Sequence, residues 1–405
     1  MERVTLSEDG LPAFPLDILQ PADTQALVPA LLDTRTPNVW VYRYTHPDLG
    51  WLLSIATHGE PGSNKLSLGG FRIAPAARVE SPGYDNDAEA IGLAMGMEEK
   101  VHWSRVIRAG GPLARAHVSQ LVGGKCVLHP TVDSRVGQPR DFQMLDWALA
   151  CFRDFERASG VRLNTGQDLG HGVMSDGRTR SLDYLGRGFH GCVFSDTSRP
   201  TGEGNFYIVK GMLDALDIPL DRARIGLIGC GNIGDWVLRR LLDAEATVTA
   251  IEAREDRRES LRTELGADVR GADHKSELLS SEIDALVVNA NGGTLDMATC
   301  RAIAANPRLR VVCGSENLAM PDPAGAEVMR AGGTVYAPTE FGGMMGYLTA
   351  IEEYYANHER KPFELSSMLE AAKRLESAGH DITMMVRESE FELSFEEAAE
   401  KTGSG

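Results

Sequence analysis

The stretch Ile225-Gly226-Leu227-Ile228-Gly229-Cys230-Gly231-Asn232-Ile233-Gly234 is the part of this chain whose reading decides the fold. A short apolar strand runs into a Gly-x-Gly-x-x-Gly turn, and residues 235–242 leave it with helical spacing. Gly229 permits a tight turn, Gly231 lets a phosphate approach the backbone, and Gly234 lets the helix pack close to the strand. The first helical N–H groups then face the loop, where the helix dipole favours an anion. A second strand, Thr247-Val248-Thr249-Ala250-Ile251, ends at Glu252, 23 residues after Gly229. An acid there accepts hydrogen bonds from ribose hydroxyls. Glycines alone also serve ordinary turns, but strand, glycine turn, helix and strand-terminal acid together read as a dinucleotide site. Gly229, Gly231, Asn232, Ile233, Gly234 and Glu252 are its expected members. Glu252 favours NAD over NADP, because it would repel a 2′-phosphate. Arg254, Arg257 and Arg258 lie just downstream and would soften that preference if they reached the ribose; the plainer reading of them is a solvated helix start.

Working outward, Ala285-Leu286-Val287-Val288, Arg310-Val311-Val312-Cys313 and Thr334-Val335-Tyr336-Ala337 read as further strands, mostly separated by helical stretches. That alternation implies a doubly wound parallel sheet, a Rossmann domain over residues 204–338. Residues 1–203 lack the rhythm. They offer a hairpin (39–44 and 51–56, turning at 46–50), a helix over 89–103, a short strand over 125–128 and a helix over 141–157. The expected fold class is α/β with two domains. An N-terminal α/β substrate and catalytic domain (1–203) precedes the Rossmann domain, and the helices of 339–405 return to the first.

Bulk properties narrow the function. With 405 residues, 42% of them hydrophobic, two domains are expected. A balance of 41 Lys+Arg against 58 Asp+Glu, net −17, argues against nucleic acid or an anionic membrane as partner. No apolar run reaches 18 residues, and the polar, acidic stretch 1–10 is unlike a signal peptide, so a cytoplasmic protein is expected. Six cysteines and ten histidines are scattered without metal-ligand spacing, and no metal is assigned. The closing Thr402-Gly403-Ser404-Gly405 reads as a loose tail.

A Rossmann unit names no reaction. Three polar motifs in the first half carry the chemistry. They are Leu68-Gly69-Gly70-Phe71-Arg72, the lysines of Gly96-Met97-Glu98-Glu99-Lys100 and Gly123-Gly124-Lys125, and Thr165-Gly166-Gln167-Asp168-Leu169-Gly170. With Pro200-Thr201, Lys210-Gly211-Met212, Gly314-Ser315, Asn317 and Tyr336-Ala337-Pro338, they occur in an order that resembles the glutamate/leucine/phenylalanine/valine dehydrogenase family, closest to its leucine and phenylalanine branch. The resemblance runs from about residue 39 to the C-terminal helices. It implies oxidative deamination of an L-amino acid to a 2-oxo acid and ammonia with NAD(P), or the reverse amination, in a homo-oligomer. It gives the substrate carboxylate to Lys100, beside Gly69, Gly70 and Met97. It makes Lys125 the catalytic lysine and Asp168 the proton shuttle, and it puts Thr201 and Asn291 or Asn317 near the nicotinamide. The physics agrees. Burial should raise the Asp168 pKa, and a second lysine nearby should lower that of Lys125. Each lysine alone would be read as a solvated surface charge.

Four departures stand out. Lys100 and Lys125 are farther apart than in relatives, with an insertion within 104–120 that carries Arg105, Arg108 and Arg115; the bland reading of these is a longer decorated loop. The asparagine expected near Gly343 is absent. Gly166 stands where relatives often have alanine, and Asn289 and Asn291 replace apolar residues. These changes point to a bulky, aromatic or non-proteinogenic substrate. Two competitors follow: an imine-reducing enzyme of secondary metabolism that couples a 2-oxo acid to an organic amine, and a non-catalytic NAD-binding sensor. The retained Lys100, Lys125 and Asp168 argue against the sensor.

Overall fold

Period-two alternation builds the first sheet. Along Trp40–Thr45, Tyr42 and Tyr44 enter one core while Val41 enters the other. The first core takes Met144, Leu145, Phe152 and Phe155 from the helix Asp141–Ser159, and the second takes Ala90, Ile91, Leu93 and Ala94 from the helix Asn86–Val106. Helices therefore cover both faces.

In the computed structural model, which describes residues 2–4, 15–166 and 168–403, eight strands form this mixed sheet. They are β1 (Glu2–Val4), β2 (Leu16–Leu19), β3 (Trp40–Thr45), β4 (Leu52–Thr57), β5 (Leu66–Leu68), β6 (Phe71–Ile73), β7 (Leu121–His129) and β8 (Arg162–Asn164). Their order is β1-β2-β3-β4-β7-β5-β8, with β6 also on β7. Strands β1 to β4 and β7 run antiparallel in turn, so the expected hairpin forms, with Trp40 opposite Thr57. Strands β5, β6 and β8 join by parallel pairing. Strand β7 is longer than the four residues expected, and Gly123 and Gly124 lie inside it. The helix expected over 141–157 runs to Ser159 and stops at Gly160, which takes the left-handed conformation.

The second sheet is wholly parallel. Its strands are β9 (Arg224–Ile228), β10 (Thr247–Ile251), β11 (Asp268–Arg270), β12 (Ala285–Val288), β13 (Val311–Gly314) and β14 (Val335–Tyr336), in the order β11-β10-β9-β12-β13-β14. That is the doubly wound order, with its switch between β9 and β12. Apolar runs such as Ala285–Val288 are buried throughout, as a sheet covered on both faces requires. Strand β11 escaped the sequence reading because its three residues, Asp-Val-Arg, offer a single apolar side chain.

Two compact units divide the chain differently from the expected 1–203, 204–338 and 339–405. The first is Met1–Val101, Ala116–Ser195 and Ala350–Phe363; the second is His102–Arg115, Asp196–Thr349 and Glu364–Gly405. The expected return to the first unit thus holds for Ala350–Phe363, whereas the later helices group with the Rossmann sheet. The reason is packing: Arg374–Glu388 lies along Ser198–Asp214, where Gly211 leaves no room for a side chain against the Glu376 backbone. The segment expected as a longer loop is mostly ordered. The helix Asn86–Val106 extends into it, a helix Pro112–Ala116 follows, and Arg105, Arg108 and Arg115 are exposed. Thr402 and Gly403 end a helix, Phe395–Gly403, so they are no tail. Residues 5–10 of the polar start, Gln167, Ser404 and Gly405 lie outside the described residues. No helix among the described residues is long and apolar enough to cross a membrane.

Candidate active site

Glycines clear the ground for the charged groups of the first unit. A methyl group on Gly69 would overlap the Gly124 carbonyl oxygen, and one on Gly123 would strike the backbone of the helix Asn86–Val106 at Glu98 and Ala94. The two Gly-Gly pairs therefore let the β5–β6 turn, strand β7 and that helix close on one another without side chains between them. Gly70 turns at φ +73°, and its carbonyl accepts the Cys126 N–H at 3.2 Å. The Glu98 carboxylate accepts the Gly123 N–H at 2.5 Å, tying helix to strand. Met97 and Lys100 flank Glu98 on this helix, and both are buried.

Lys125 sits at the centre. Its side chain is 5% exposed, and its Nζ pairs with the Asp168 carboxylate, itself 10% exposed. Arg72, from β6, reaches the same carboxylate through Nε to Oδ2 and Nη2 to Oδ1, both at 3.3 Å. Its Nη1 donates to Glu89 Oε1 at 2.6 Å, and Arg78 Nε approaches that oxygen at 3.3 Å. The sequence motifs thus converge from β6, β7 and the segment after β8.

Electrostatics correct one expectation. Burial does push the Asp168 carboxyl up, but Lys125 and Arg72 outweigh it and hold the group below the usual carboxylate range. Asp168 is therefore an anion near neutrality, contrary to the raised pKa that burial alone suggests. Lys125 is lowered as expected, chiefly by burial, with Asp168 opposing. Arg72 is a cation that repels it, one the sequence did not single out. Arg72 was visible in Leu68-Gly69-Gly70-Phe71-Arg72, yet no role fell to it. Glu89, a helix acid facing inward, was missed; its only sequence signal is the apolar stripe that surrounds it.

In the second unit the turn after β9 takes the expected shape. Gly229 adopts φ +89° against the Asn289–Ala290 backbone, and a methyl group on Gly234 would overlap the Gly229 carbonyl. A methyl on Gly231 would meet nothing within 4 Å, so this backbone is open to an approaching group. The helix Asn232–Asp243 begins here, with Gly231 as N-cap, and presents the Asn232 and Ile233 N–H groups in its first turn. A cradle that is open where phosphate must come and closed where helix meets strand fits a dinucleotide pyrophosphate. Glu252 is buried; its Oε2 accepts the Cys230 N–H at 3.0 Å and its Oε1 the Arg254 N–H at 2.9 Å. Arg257 and Arg258 are not simply solvated: Arg257 donates to Cys230 O and pairs with Asp235, and Arg258 donates to the Glu252 and Ala253 carbonyls.

The ends of β12 and β13 interlock. Asn289 Oδ1 accepts from the Ser315 N–H at 3.0 Å and hydroxyl at 2.6 Å, while buried Glu316 accepts from Ala290 N–H and Thr294 N–H. Asn289 thus holds two loops together, and Glu316 was not anticipated. Asn291 and Asn317 are exposed on these loops, whereas Thr201 is buried and its hydroxyl donates to Thr197 O. In the segment after Pro338, Gly342 closes on the Gly314 backbone and its carbonyl accepts from Asn205. Among the described residues no three metal-ligating side chains converge, and all six cysteines are free and buried.

Fold and sites together define a two-domain α/β protein with a Rossmann NAD(P)-binding domain. Known proteins agree. Residues 224–290, which span the phosphate loop, match the family model "NADP oxidoreductase coenzyme F420-dependent". The chain is 28% identical over 254 residues to phenylalanine dehydrogenase of Lysinibacillus sphaericus, covering 59% of this chain and 61% of that one. It is 25% identical over 276 residues to valine dehydrogenase of Streptomyces virginiae, covering 67% and 69%. It therefore spans about three fifths of the phenylalanine dehydrogenase it matches. Its fold is shared with L-tryptophan dehydrogenase from Nostoc punctiforme at TM-score 0.59 and 17% identity, over 90% of this chain and 94% of that one. The chain is distantly similar to dehydrogenases of the glutamate/leucine/phenylalanine/valine family.

Proposed function

We propose that this protein is an NAD-dependent L-amino-acid dehydrogenase. Water, NAD⁺ and the amino acid give a 2-oxo acid, ammonium, NADH and a proton, or the reaction runs in reverse. The observation that carries this reading is the buried Lys125–Asp168 pair, set on a glycine-cleared backbone in a chain that also holds an open dinucleotide loop. The nicotinamide, when bound, accepts the hydride from the α-carbon. The chain's own residues do the rest. Lys100 binds the substrate carboxylate as a charge-assisted pair. Lys125, lowered by burial, takes a proton from the water that attacks the imine carbon. Asp168 orients Lys125. Thr201, Asn291 and Asn317 hold the nicotinamide end, and Gly229, Gly231, Asn232, Ile233 and Gly234 the pyrophosphate. Buried Glu252, the acid at the end of β10, supports NAD over NADP. The likeness to phenylalanine dehydrogenase, with the lost asparagine near Gly343, supports a bulky or aromatic substrate. A homo-oligomer is the assembly proposed, which sedimentation measures.

NADH absorbance on adding 2-oxo acids with ammonia tests the reaction. Oxidation with ammonia supports it; turnover with organic amines alone would replace it by an imine-reducing reaction. Bound NADH with no turnover on either would mark a sensor.

A further inference from the structure

We propose that Arg72, anchored by Glu89, is a positioning residue that fixes the Asp168 carboxylate as an anion against Lys125, so that Lys125 carries the movable proton of the pair. This rests on the dehydrogenase reading above.

Geometry comes first. The Arg72 side chain is 6% exposed, and three of its nitrogens are committed to carboxylates: Nε and Nη2 to the two oxygens of Asp168, and Nη1 to Glu89. Two parallel contacts from a planar fork set the plane of the Asp168 carboxylate as well as its position. Glu89, 5% exposed and also approached by Arg78, keeps the guanidinium from turning away.

Charge comes second. With Lys125 protonated, the two cations Arg72 and Lys125 balance the two anions Asp168 and Glu89. A carboxylate touching two cations keeps its charge, while a buried ammonium beside a permanent guanidinium gives its proton up more readily. Burial pushes His171 down and Cys126 and Tyr84 up, which keeps these three neutral near pH 7; Arg78, partly exposed, shares the Glu89 Oε1 with Arg72. When water attacks the imine carbon, the C–O bond forms as the C=N π pair moves onto nitrogen, the water O–H bond breaks, and the proton moves to Lys125 Nζ. Asp168 stays ionised throughout.

The test is the pH dependence of kcat together with a ¹³C titration of the Asp168 carboxyl in the protein without cofactor. Arg72→Met removes the cation. The Asp168 pKa should rise by about one to three pH units, and the limb of the kcat profile set by Lys125 should move to higher pH by about one unit or more. Arg72→Lys keeps a charge and should leave that limb near its wild-type position while lowering kcat. Arg72→Gln is the second neutral variant should Arg72→Met not fold by circular dichroism. A neutral variant that lowers kcat equally at every pH, with Asp168 titrating as in wild type, would overturn the proposal. If wild type turns over no 2-oxo acid, the dehydrogenase reading falls, yet the carboxyl titration still decides the role of Arg72.

Discussion

At Lys125 a single substitution separates an enzyme from a scaffold. Changing Lys125→Ala should cut turnover about 10²- to 10⁴-fold, the span of one lost acid–base group. NADH binding, which belongs to other residues, should stay as it was; fluorescence titration checks this. Wild-type deamination should climb with pH, because the neutral amine is the active form. Burial and Arg72 lower the Lys125 pKa, so the midpoint of a kcat profile should fall below the ordinary lysine value of 10.5. Sequence carried much of this site. Lys125 and Asp168 were legible from ordered motifs, but the direction of the Asp168 shift was not. Burial and two cations act in opposite senses, and only the contacts of Arg72, 96 residues away in sequence, say which wins.

Among the elements, close backbone approaches position the chemistry. Gly69→Ala would drive a methyl group into the Gly124 carbonyl, and overpacking of this kind costs about 1–3 kcal/mol. Urea unfolding should show that loss, with activity falling further because strand β7 carries Lys125. At the end of β10, Glu252→Ser should weaken NADH binding roughly ten- to a hundredfold, as loss of a charge-assisted hydrogen bond would, and narrow the gap to NADPH. Competition by the two cofactors measures it; an unchanged preference would show that Glu252 serves only the Cys230 and Arg254 amides. Long elements were legible because their periodicity repeats. Strand β10 falls where its sequence placed it, and the hairpin of β3 and β4 within a residue. The three-residue strands β5, β6, β8 and β11 were not, since three residues show no period and tertiary pairing decides them.

For the whole molecule, the doubly wound order was readable from alternation alone, but the grouping of the C-terminal helices was not. Residues 364–405 have an amphipathic pattern that would suit any apolar surface; it is the small residues Gly211 and Gly379 that seat Arg374–Glu388 on Ser198–Asp214. The most direct measurement is a panel of aromatic, branched and unusual 2-oxo acids with ammonia, followed by NADH absorbance in wild type and Lys125→Ala. The account predicts NADH oxidation with at least one bulky 2-oxo acid and its loss in the variant. Equal rates in both proteins, or binding of NADH with no oxidation across the panel, would contradict it.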